Sequence, residues 1–526
     1  MASEEVENVT QHDAVEGGPA DLHDMVHHPK GWMNWRVVMN MIIVGLGLCL
    51  WGFDNSSTGP ILALPLFVLK FQGYGPAFTA KNLDLLVPVP IVGAALGTVA
   101  SAPLMNKLGR KRAMVLAYFL GAAPGSFLSM FAPNMAAQIV GRFWTNLGVS
   151  VLTTAAPLYL TELAPAHFRA RAVGFCVAGV AAVGVISTTI IWKTATIADN
   201  LQWKIPIALQ AAIPVALGFL TLLCTESPLW YLQHDQLERA KSALLSIRNA
   251  NVEVVEVELA TMQAAALAEA ERARQADVHF WDILKPRHIQ RTLSAGALLC
   301  LGQVCGQILI MTYSTVILVQ SGVADPFKIT ILITCLQFLG TIIGPVLVDK
   351  VGRRPVALVG FSILFILNMA AGGLAASGLT TKTQQLGLAA VFIIFGFFNS
   401  ACGQTLSFIL PTEISTPSLR EPTMAWAVFW SYTTAIITTF AVPQITAADA
   451  GNLGAKAAFV FGGCVFITVT WAYFFVPETR ARTAAEIDEM YDIGLPMRHW
   501  RNHKCQTGSY MLNTGIGGKD FEVKEP

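Results

Sequence analysis

Two residues of opposite charge interrupt long apolar stretches of this sequence. Asp54 lies late in the apolar run 37–57, and Arg142 lies early in the apolar run 137–160. An ionisable side chain in the middle of a membrane span costs about 2.5–3.5 kcal/mol on insertion scales, so each such residue indicates a function by default. If these runs are the first and fourth spans of a membrane protein, both residues lie in its outer half, close enough to pair.

Other charged residues belong to three short motifs, each of which occurs twice in the chain. The second copy follows the first by 243, 251 or 252 residues. Self-similarity at a nearly constant interval indicates an internal repeat, so we expect two homologous halves. Parallel repeats of this kind place a solute site between the halves, and access to it alternates as one half rocks against the other. The motif pairs are NKLGRKR (106–112) and DKVGRRP (349–355), ELAPAHFR (162–169) and EISTPSLR (413–420), and TESPLW (225–230) and PETRAR (477–482).

These repeated motifs supply arginine and glutamate residues at one end of the spans. A helix C-terminus and a nearby carboxylate both favour a cation at such a position. We expect an ion-pair network that locks the halves together on the cytosolic side and separates when that side opens. The alternative is that the charges only set the orientation of the spans. The network residues are Arg110, Glu162, Arg169, Glu226, Asp349, Arg353, Glu413, Arg420 and Glu478.

The repeat also shows that the intramembrane pair is specific to the first half. A shift of 251 residues places Cys305 opposite Asp54 and Ile393 opposite Arg142. Since the second half has no equivalent charges, neither the symmetry nor the folding of the chain requires them.

The composition indicates that lipid is the solvent for much of the surface. Hydrophobic residues make up 54% of the 526 residues and charged residues 13%, with a mean hydropathy of +0.53. A soluble domain carries about 25% charged residues, and a helix that crosses a bilayer needs roughly 20 mostly apolar residues. The sequence therefore predicts an all-α membrane protein with twelve spans. They are 37–57, 84–105, 113–132, 137–160, 172–192 and 205–224, then 292–319, 329–348, 355–377, 387–411, 423–446 and 457–476.

Basic residues in the short loops predict the orientation of the spans. Loops rich in Lys and Arg alternate with loops that hold few, which places both termini in the cytosol. The segment 255–275 is rich in Ala and Glu and predicts a cytosolic helix between the halves, with a flexible linker as the alternative. The predicted units are an N-terminal tail 1–36, a six-helix bundle 37–225, a helical linker 226–290, a second bundle 291–477 and a C-terminal tail 478–526.

Several function classes are disfavoured by the sequence. The net charge of +1 gives no sign of a nucleic-acid partner. The nine cysteines form no CxxC pair and lie mostly in apolar stretches, which is typical of small core residues. We find no nucleophile motif, no metal-ligand spacing and no phosphate loop, so we expect neither an enzyme nor a bound metal or cofactor.

A set of longer motifs occurs in order along the chain and at consistent positions relative to the spans. They are WGFDNSSTG (51–59), LGRKR (108–112), GR (141–142), PLYLTELAPAHFRARAVGF (157–175), ESPLWYL (226–232), DKVGRR (349–354), LPTEISTPSLR (410–420) and PETRARTAAEIDEMY (477–491). On these motifs the chain resembles, over residues 32–490, the sugar porter branch of the major facilitator superfamily. WKIPIALQ (203–210) is most similar to the fungal α-glucoside and hexose permease group.

This resemblance implies the major facilitator fold, with twelve transmembrane helices in two pseudo-symmetric six-helix bundles. It also implies roles for the charged pair. In the proton-coupled members of the branch, the residue matching Asp54 takes up the proton and the residue matching Arg142 is its partner. A static buried salt bridge is the alternative.

The resemblance further indicates where a solute binds, because sugar porters use amides and aromatic side chains of the fifth, seventh, tenth and eleventh spans. The matching or neighbouring residues are Gln303, Gln307, Tyr313, Asn399, Gln404, Trp430 and Tyr432. The chain departs from the family pattern at Gly302 and Ile308, where Gln and Asn are usual. Its fifth span lacks both glutamines and its tenth lacks Trp-Gly-Pro, so we expect a solute with fewer hydroxyls than glucose, such as a cyclic polyol acid or a secondary metabolite.

The expected function is secondary active transport, with proton-coupled uptake of a sugar or sugar-like solute by alternating access. Two alternatives remain open: export of a secondary metabolite by proton antiport, and a non-transporting nutrient receptor. The expected partners are a small solute, protons and the lipid bilayer. We expect a monomer in the plasma membrane.

Overall fold

The computed structural model describes residues 34–75, 77–164, 168–247, 252–275, 279–416, 419–503 and 505. These residues form helices and connections, and no strand occurs among them. The helices are α1 (Trp35–Leu62), α2 (Pro65–Gln72), α3 (Ala80–Leu108), α4 (Arg110–Met130), α5 (Met135–Leu163), α6 (Arg169–Thr194), α7 (Leu201–Leu222), α8 (Pro228–Gln233), α9 (Leu237–Ile247), α10 (Val252–Gln275), α11 (Ile289–Thr312), α12 (Ser314–Gln320), α13 (Pro326–Val351), α14 (Arg353–Ala376), α15 (Lys382–Ile414), α16 (Arg420–Thr446), α17 (Ala458–Phe475) and α18 (Ala484–Asp492).

Thirteen of these helices have 18 residues or more, and all of them except the Ala- and Glu-rich α10 correspond to the twelve predicted spans. Eleven of them are also apolar enough by composition. The twelfth, α5, has 29 residues and contains Gln138, Arg142 and Asn146. Its polar residues lower its hydropathy, but Gln138 and Arg142 are buried inside the bundle, where they avoid the cost of contact with lipid. The helices α1 and α3–α7 form the first half, and α11 and α13–α17 form the second.

The repeated motifs mark one end of the helices, which we call the basic end. There α3 passes into α4 at Gly109 with φ +94°, and α13 passes into α14 at Gly352 with φ +109°. Glycine is favoured in this backbone conformation because glycine has no Cβ atom. At the other end, which we call the opposite end, α5 begins after Asn134, whose side chain accepts a hydrogen bond from the backbone N–H of Ala137.

The seventh span departs from the continuous helix predicted for 292–319. Helix α11 widens into π-helical turns over Gln303–Thr312, and Gly306 there has φ +92°. The Asn368 side chain donates to the carbonyl oxygen of Cys305 at 3.2 Å, which satisfies a backbone group that the irregular turn leaves free. The span then ends at Thr312, and the separate helix α12 follows.

The two halves contact each other through α1 with α11 and α12, α3 with α16, and α6 with α13. Hydrogen bonds between the halves lie in the middle and at the opposite end. The Thr188 and Thr334 hydroxyls lie 3.1 Å apart, and the Asp449 carboxylate accepts from the N–H of Ala80 at 3.0 Å. The Gln444 amide donates to Asp84 at 2.6 Å. These contacts close the opposite end.

The segments outside the bundles pack at the basic end. Between the halves, α8, α9 and α10 contact one another, and α10 is the helix predicted within 226–290. In the C-terminal tail, α18 docks on the second half, where Arg291 pairs with Asp488. Arg287 donates to both carboxylate oxygens of Asp492, at 3.1 and 2.6 Å, and this holds the pKa of Asp492 below its usual range. Residues 1–33 of the predicted N-terminal tail lie outside the described residues.

Closure of the opposite end depends on a glycine in α1. A Cβ on Gly59 would overlap the backbone carbonyl oxygen of Thr312 in α11. We therefore expect Gly59→Ala to disfavour the closed conformation. Double electron–electron resonance between spin labels at the exposed positions Lys81 and Ala450 should then show a larger fraction of molecules with a long distance between the labels.

The matched control is Gly463→Ala in α17, because a Cβ there meets no atom within 4 Å. This variant should keep the wild-type distance distribution. Identical distributions for Gly59→Ala and wild type would show that this contact does not set the conformation.

Candidate functional site

The structure places Asp54 and Arg142 together, as the sequence predicts. Asp54 lies in α1 with 5% of its surface exposed, and Arg142 lies in α5 with 7% exposed. A terminal guanidinium nitrogen of Arg142 is 3.7 Å from Oδ1 of Asp54. This distance makes an ion pair but exceeds that of a hydrogen bond to a carboxylate, which is about 2.7–2.9 Å.

The guanidinium of Arg142 instead donates its hydrogen bond to a hydroxyl. The same nitrogen lies 2.6 Å from Oγ1 of Thr58, and Thr58 donates to the carbonyl oxygen of Asp54 at 2.8 Å. The Nε of Arg142 is buried and has no hydrogen-bond partner among the described residues. Arg142 is thus close to Asp54 without being tied to its carboxylate.

Two neutral amides donate to the Asp54 carboxylate directly. Asn146 donates to Oδ2 at 3.2 Å, and Gln210 of α7 donates to Oδ1 at 3.1 Å and to the Ser57 hydroxyl at 2.8 Å. Sequence reasoning missed both amides. Asn146 follows Arg142 by four residues, so the helical period places them on one face, whereas the position of Gln210 depends on how α7 packs.

This arrangement is chemically suited to reversible protonation. Two amide donors and a nearby guanidinium surround the Asp54 carboxylate, and the guanidinium donates to the Thr58 hydroxyl. The Arg142 guanidinium keeps its Thr58 acceptor in either state. The carboxylate can therefore change charge without leaving Arg142 with no hydrogen bond.

The predicted solute residues of α11 and α15 lie in two irregular segments. Gln303 and Gln307 are half-buried in the π-helical turns of α11, and Asn399 and Gln404 lie in π-helical turns over Asn399–Gln404. Such turns occur frequently at functional sites because they redirect side chains. Asn399 is buried, and its Nδ2 has no partner among the described residues, whereas Gln404 accepts from the Ser400 hydroxyl at 3.1 Å.

The predicted aromatic residues do not share one surface. Tyr313 is fully buried at the opposite end, with its hydroxyl 3.5 Å from the carbonyl oxygen of Thr439. Tyr432 meets the Thr98 hydroxyl at 3.1 Å and so belongs to the contact between the halves. Trp430 has 41% of its surface exposed. Because residues two apart on a helix point in nearly opposite directions, Trp430 and Tyr432 face different sides of α16.

The predicted ion-pair network is present at the basic end of the first half. Arg110 donates to Oε1 of Glu162 at 2.8 and 3.1 Å. Glu226 accepts from the backbone N–H groups of Arg110 and Lys111 at 2.9 and 3.0 Å, and so caps the N-terminus of α4.

The second half repeats this network with its own residues. Arg353 pairs with Glu413 at 2.7 Å and with Asp349 at 3.1 Å. Glu478 accepts from the N–H groups of Arg353 and Arg354 at 3.0 and 3.2 Å. Each network thus joins helices of the same half.

The described ion pairs do not join one half to the other in this conformation, and the role of these charges as a lock between the halves stays a prediction. Arg110, Glu162 and Glu226 come together from three segments of the first half, because the α3–α4 turn is short and α5 ends beside it. Arg169 and Arg420 are exposed and make no ion pair with a described residue.

One group of potential metal ligands occurs in the tail. Ligand atoms of Glu489, His503 and Cys505 lie within 4.8 Å of one another. The Arg482 guanidinium lies 3.7 Å from the Cys505 sulfur. Its positive charge opposes a metal cation there.

The family model described as Sugar (and other) transporter matches residues 39–491 of the chain. The chain belongs to this family. It is therefore a membrane transporter rather than an enzyme. The charged residues at its basic end belong to the motifs on which the sequence resembles sugar porters.

Two curated relatives and one solved structure illustrate what the transporter is similar to. The major facilitator-type transporter ecdD of Aspergillus rugulosus is 25% identical over 488 residues, covering 87% of each chain. A quinate permease of Neurospora africana is 28% identical over 497 residues, covering 88% of this chain and 90% of the relative. The xylose transporter XylE from E. coli, in a partially occluded inward-open conformation, superposes with a TM-score of 0.69 at 17% identity, covering 86% of the transporter and 100% of that chain. This likeness confirms the major facilitator fold.

The basic-end network of the first half depends on Gly109, the glycine that joins α3 to α4 just before Arg110. Gly109 has φ +94°, and a Cβ on it would overlap the Glu226 carboxylate. We expect Gly109→Ala to lower the free energy of unfolding by about 1–3 kcal/mol from the backbone alone, because φ +94° with ψ 167° is a conformation that essentially only glycine adopts. Thermal unfolding of the purified transporter measures this loss.

Gly174→Ala is the control, because Gly174 lies within α6 and a Cβ there meets no atom within 4 Å. It should leave the unfolding midpoint unchanged or raise it slightly, since alanine favours a helix over glycine. Equal midpoints for both variants would contradict the role of Gly109.

Proposed function

We propose that this transporter couples the uptake of a small neutral solute to the inward movement of a proton across the plasma membrane. In this proposal the basic end faces the cytosol, as the basic loops predict. The observation that carries the proposal is the buried Asp54 carboxylate, held by two amides with Arg142 3.7 Å away. A buried acid with a partner of this kind in a transporter span is typical of proton relays.

The contacts around Asp54 support a switching role for the pair. Thr58 gives the Arg142 guanidinium a hydrogen-bond acceptor at 2.6 Å that does not depend on the charge of Asp54. When Asp54 takes up a proton, Arg142 keeps this bond and loses only the ion pair. Protonation then removes the charge attraction between α1 and α5, and the resulting change in the packing of α1 accompanies the rocking of the halves.

The contacts between the halves support alternating access. Hydrogen bonds at the opposite end join Ala80 to Asp449 and Asp84 to Gln444, so that end is closed. The basic-end networks, by contrast, keep each half intact as a unit. Rocking of one half against the other requires that each half moves as a rigid unit and that one end of the transporter is closed.

The charges inside the bundle favour a neutral solute. Away from the ends of the twelve spanning helices, the charged residues are Asp54 and Arg142, and both are buried and lie 3.7 Å from each other. A carboxylate solute would need a cation to replace its lost hydration. We therefore prefer a neutral ring with few hydroxyls to the cyclic polyol acid that the sequence suggested.

The side chains offered by the two irregular segments fit such a ring. Gln303, Gln307 and Asn399 supply amides, which both donate to and accept from hydroxyl groups. The buried Nδ2 of Asn399 lacks a partner among the described residues, and a solute hydroxyl would satisfy it. Trp430 offers an aromatic face for the apolar side of the ring.

The proton-coupling role of Asp54 is tested by Asp54→Asn, which keeps the shape and removes the titratable charge. We expect the variant in proteoliposomes to lose accumulation of labelled solute driven by a proton gradient while it retains solute exchange. Asp199→Asn is the control, because Asp199 is an exposed acid in the connection between α6 and α7. It should accumulate solute like wild type.

Accumulation that persists in Asp54→Asn would refute the coupling role. The orientation of the vesicles tests the direction of transport as well. Solute that is driven against the proton flow, rather than with it, would identify the transporter as an antiporting exporter.

The solute class is tested by thermal stabilisation of the purified transporter with glucose, xylose, myo-inositol and quinate. A ligand that binds only the folded state raises the unfolding midpoint, so we expect a neutral compound to raise it and quinate to have no effect. Asn399→Ala should abolish the shift. Stabilisation by quinate alone would contradict a neutral solute.

A further inference from the structure

A buried amide without a partner lies next to the Asp54–Arg142 pair. Gln138 of α5 has 1% of its surface exposed, and neither its Nε2 nor its Oε1 has a hydrogen-bond partner among the described residues. It is the only amide side chain in the described part of the chain for which both polar atoms are buried and unpartnered. A buried amide without partners costs free energy, so Gln138 lowers the stability of this conformation.

The position of Gln138 on α5 brings it within reach of Arg142. The two residues are four apart, so the helical period places them on one face with their Cβ atoms about 5–6 Å apart. Arg142 also has an unused donor, because its Nε is buried and has no partner in the described part of the chain. A buried acceptor, Oε1 of Gln138, therefore lies one helical turn from a buried donor that needs one.

In this conformation the guanidinium is held by α1 instead. Its terminal nitrogen donates to Thr58 at 2.6 Å and lies 3.7 Å from Asp54. On the other side of Arg142, one turn towards the basic end, Asn146 donates to the Asp54 carboxylate at 3.2 Å. Arg142 is thus flanked on its own helix face by one amide that binds Asp54 and by a second amide, Gln138, that is free to bind another group.

The repeat shows that the fold does not require an amide at this position. The shift of 251 residues that places Ile393 opposite Arg142 also places Ala389 opposite Gln138. Ala389 is buried as well, with 3% of its surface exposed. The second half thus packs an apolar side chain at the matching position and lacks both the amide and the arginine. Their joint presence in the first half connects Gln138 with Arg142 rather than with helix packing.

We propose that Gln138 is a positioning residue, which accepts a hydrogen bond from Arg142 when Asp54 is protonated. Protonation removes the charge that attracts the guanidinium to Asp54. The guanidinium then turns until its Nε donates to Oε1 of Gln138, while its terminal nitrogen keeps the bond to Thr58. A neutral amide oxygen suits this role because it accepts from a guanidinium without forming an ion pair. The inference rests on the proposed coupling role of Asp54 and adds to it a residue that stabilises the proton-loaded state.

A double-mutant cycle on the thermal unfolding of the purified full-length transporter tests this role. Asp54→Asn represents the protonated acid, with Asp54→Ser as a second neutral background, and Gln138→Leu removes the amide. In the wild-type background at mildly alkaline pH, Gln138→Leu should raise the unfolding midpoint, because it replaces a buried amide that has no partner. In the neutral backgrounds it should lower the midpoint, because Arg142 loses its acceptor. We expect shifts of about 2–4 °C in each direction.

Gln202→Leu is the matched control. Gln202 of α7 is also buried, with 4% of its surface exposed, but its amide is fully engaged. It accepts from the N–H of Leu66 at 3.2 Å and donates to the carbonyl oxygen of Ala195 at 2.9 Å. Since these contacts do not involve Asp54 or Arg142, Gln202→Leu should lower the midpoint by the same amount in every background.

A rise in the wild-type background and a fall in the neutral ones, seen for Gln138→Leu and not for Gln202→Leu, supports the inference. An equal effect of Gln138→Leu in all backgrounds, or a change of sign in the other direction, overturns it. An equal effect would identify Gln138 as a packing residue or as the ligand of a buried water. The cycle measures unfolding and not transport, so its outcome is distinct from the loss or persistence of proton-driven accumulation in Asp54→Asn.

Discussion

The structure depends on the burial of one carboxylate in a bundle that has little else to neutralise it. Asp54 retains 5% of its surface exposed, and an ion in an apolar interior must be paired and hydrogen-bonded to be tolerated. That requirement draws α5 and α7 towards α1, since Arg142, Asn146 and Gln210 all contact Asp54 or lie beside it. The packing of the first half thus follows in part from one acid.

The two halves have equivalent ion-pair networks at their basic ends, and they differ in the residues that lie midway along their spanning helices. In each half a glycine with positive φ lets a glutamate cap the next helix while an arginine reaches a second glutamate. The networks hold the helices of each half together, so a half can move as one body. The middle of the first half carries the acid and its partners, and the middle of the second carries amides on irregular turns. Under the proposed function, this division separates ion coupling from solute binding.

The irregular turns also explain how amides reach the interior. A regular helix directs residues every 3.6 positions, whereas the π-helical turns of α11 and α15 shift Gln303, Gln307 and Asn399 relative to that period. In α11 the Asn368 side chain donates to the carbonyl oxygen of Cys305, which lies within the irregular turns. The cost of the irregularity is therefore moderate, and the gain is a change in side-chain direction.

The sequence by itself determined the twelve helices, the repeat and the Asp54–Arg142 pair, because hydropathy, spacing and an intramembrane charge are local properties. It also identified the glutamates and arginines of the basic end. Only the tertiary structure decided that Arg110 meets Glu162 and that Arg353 meets Glu413, since partner choice depends on which helix ends converge. Packing likewise decided that Gln210 reaches Asp54 and that the Tyr432 hydroxyl meets the Thr98 hydroxyl, because the rotation of a helix about its axis is set by its neighbours.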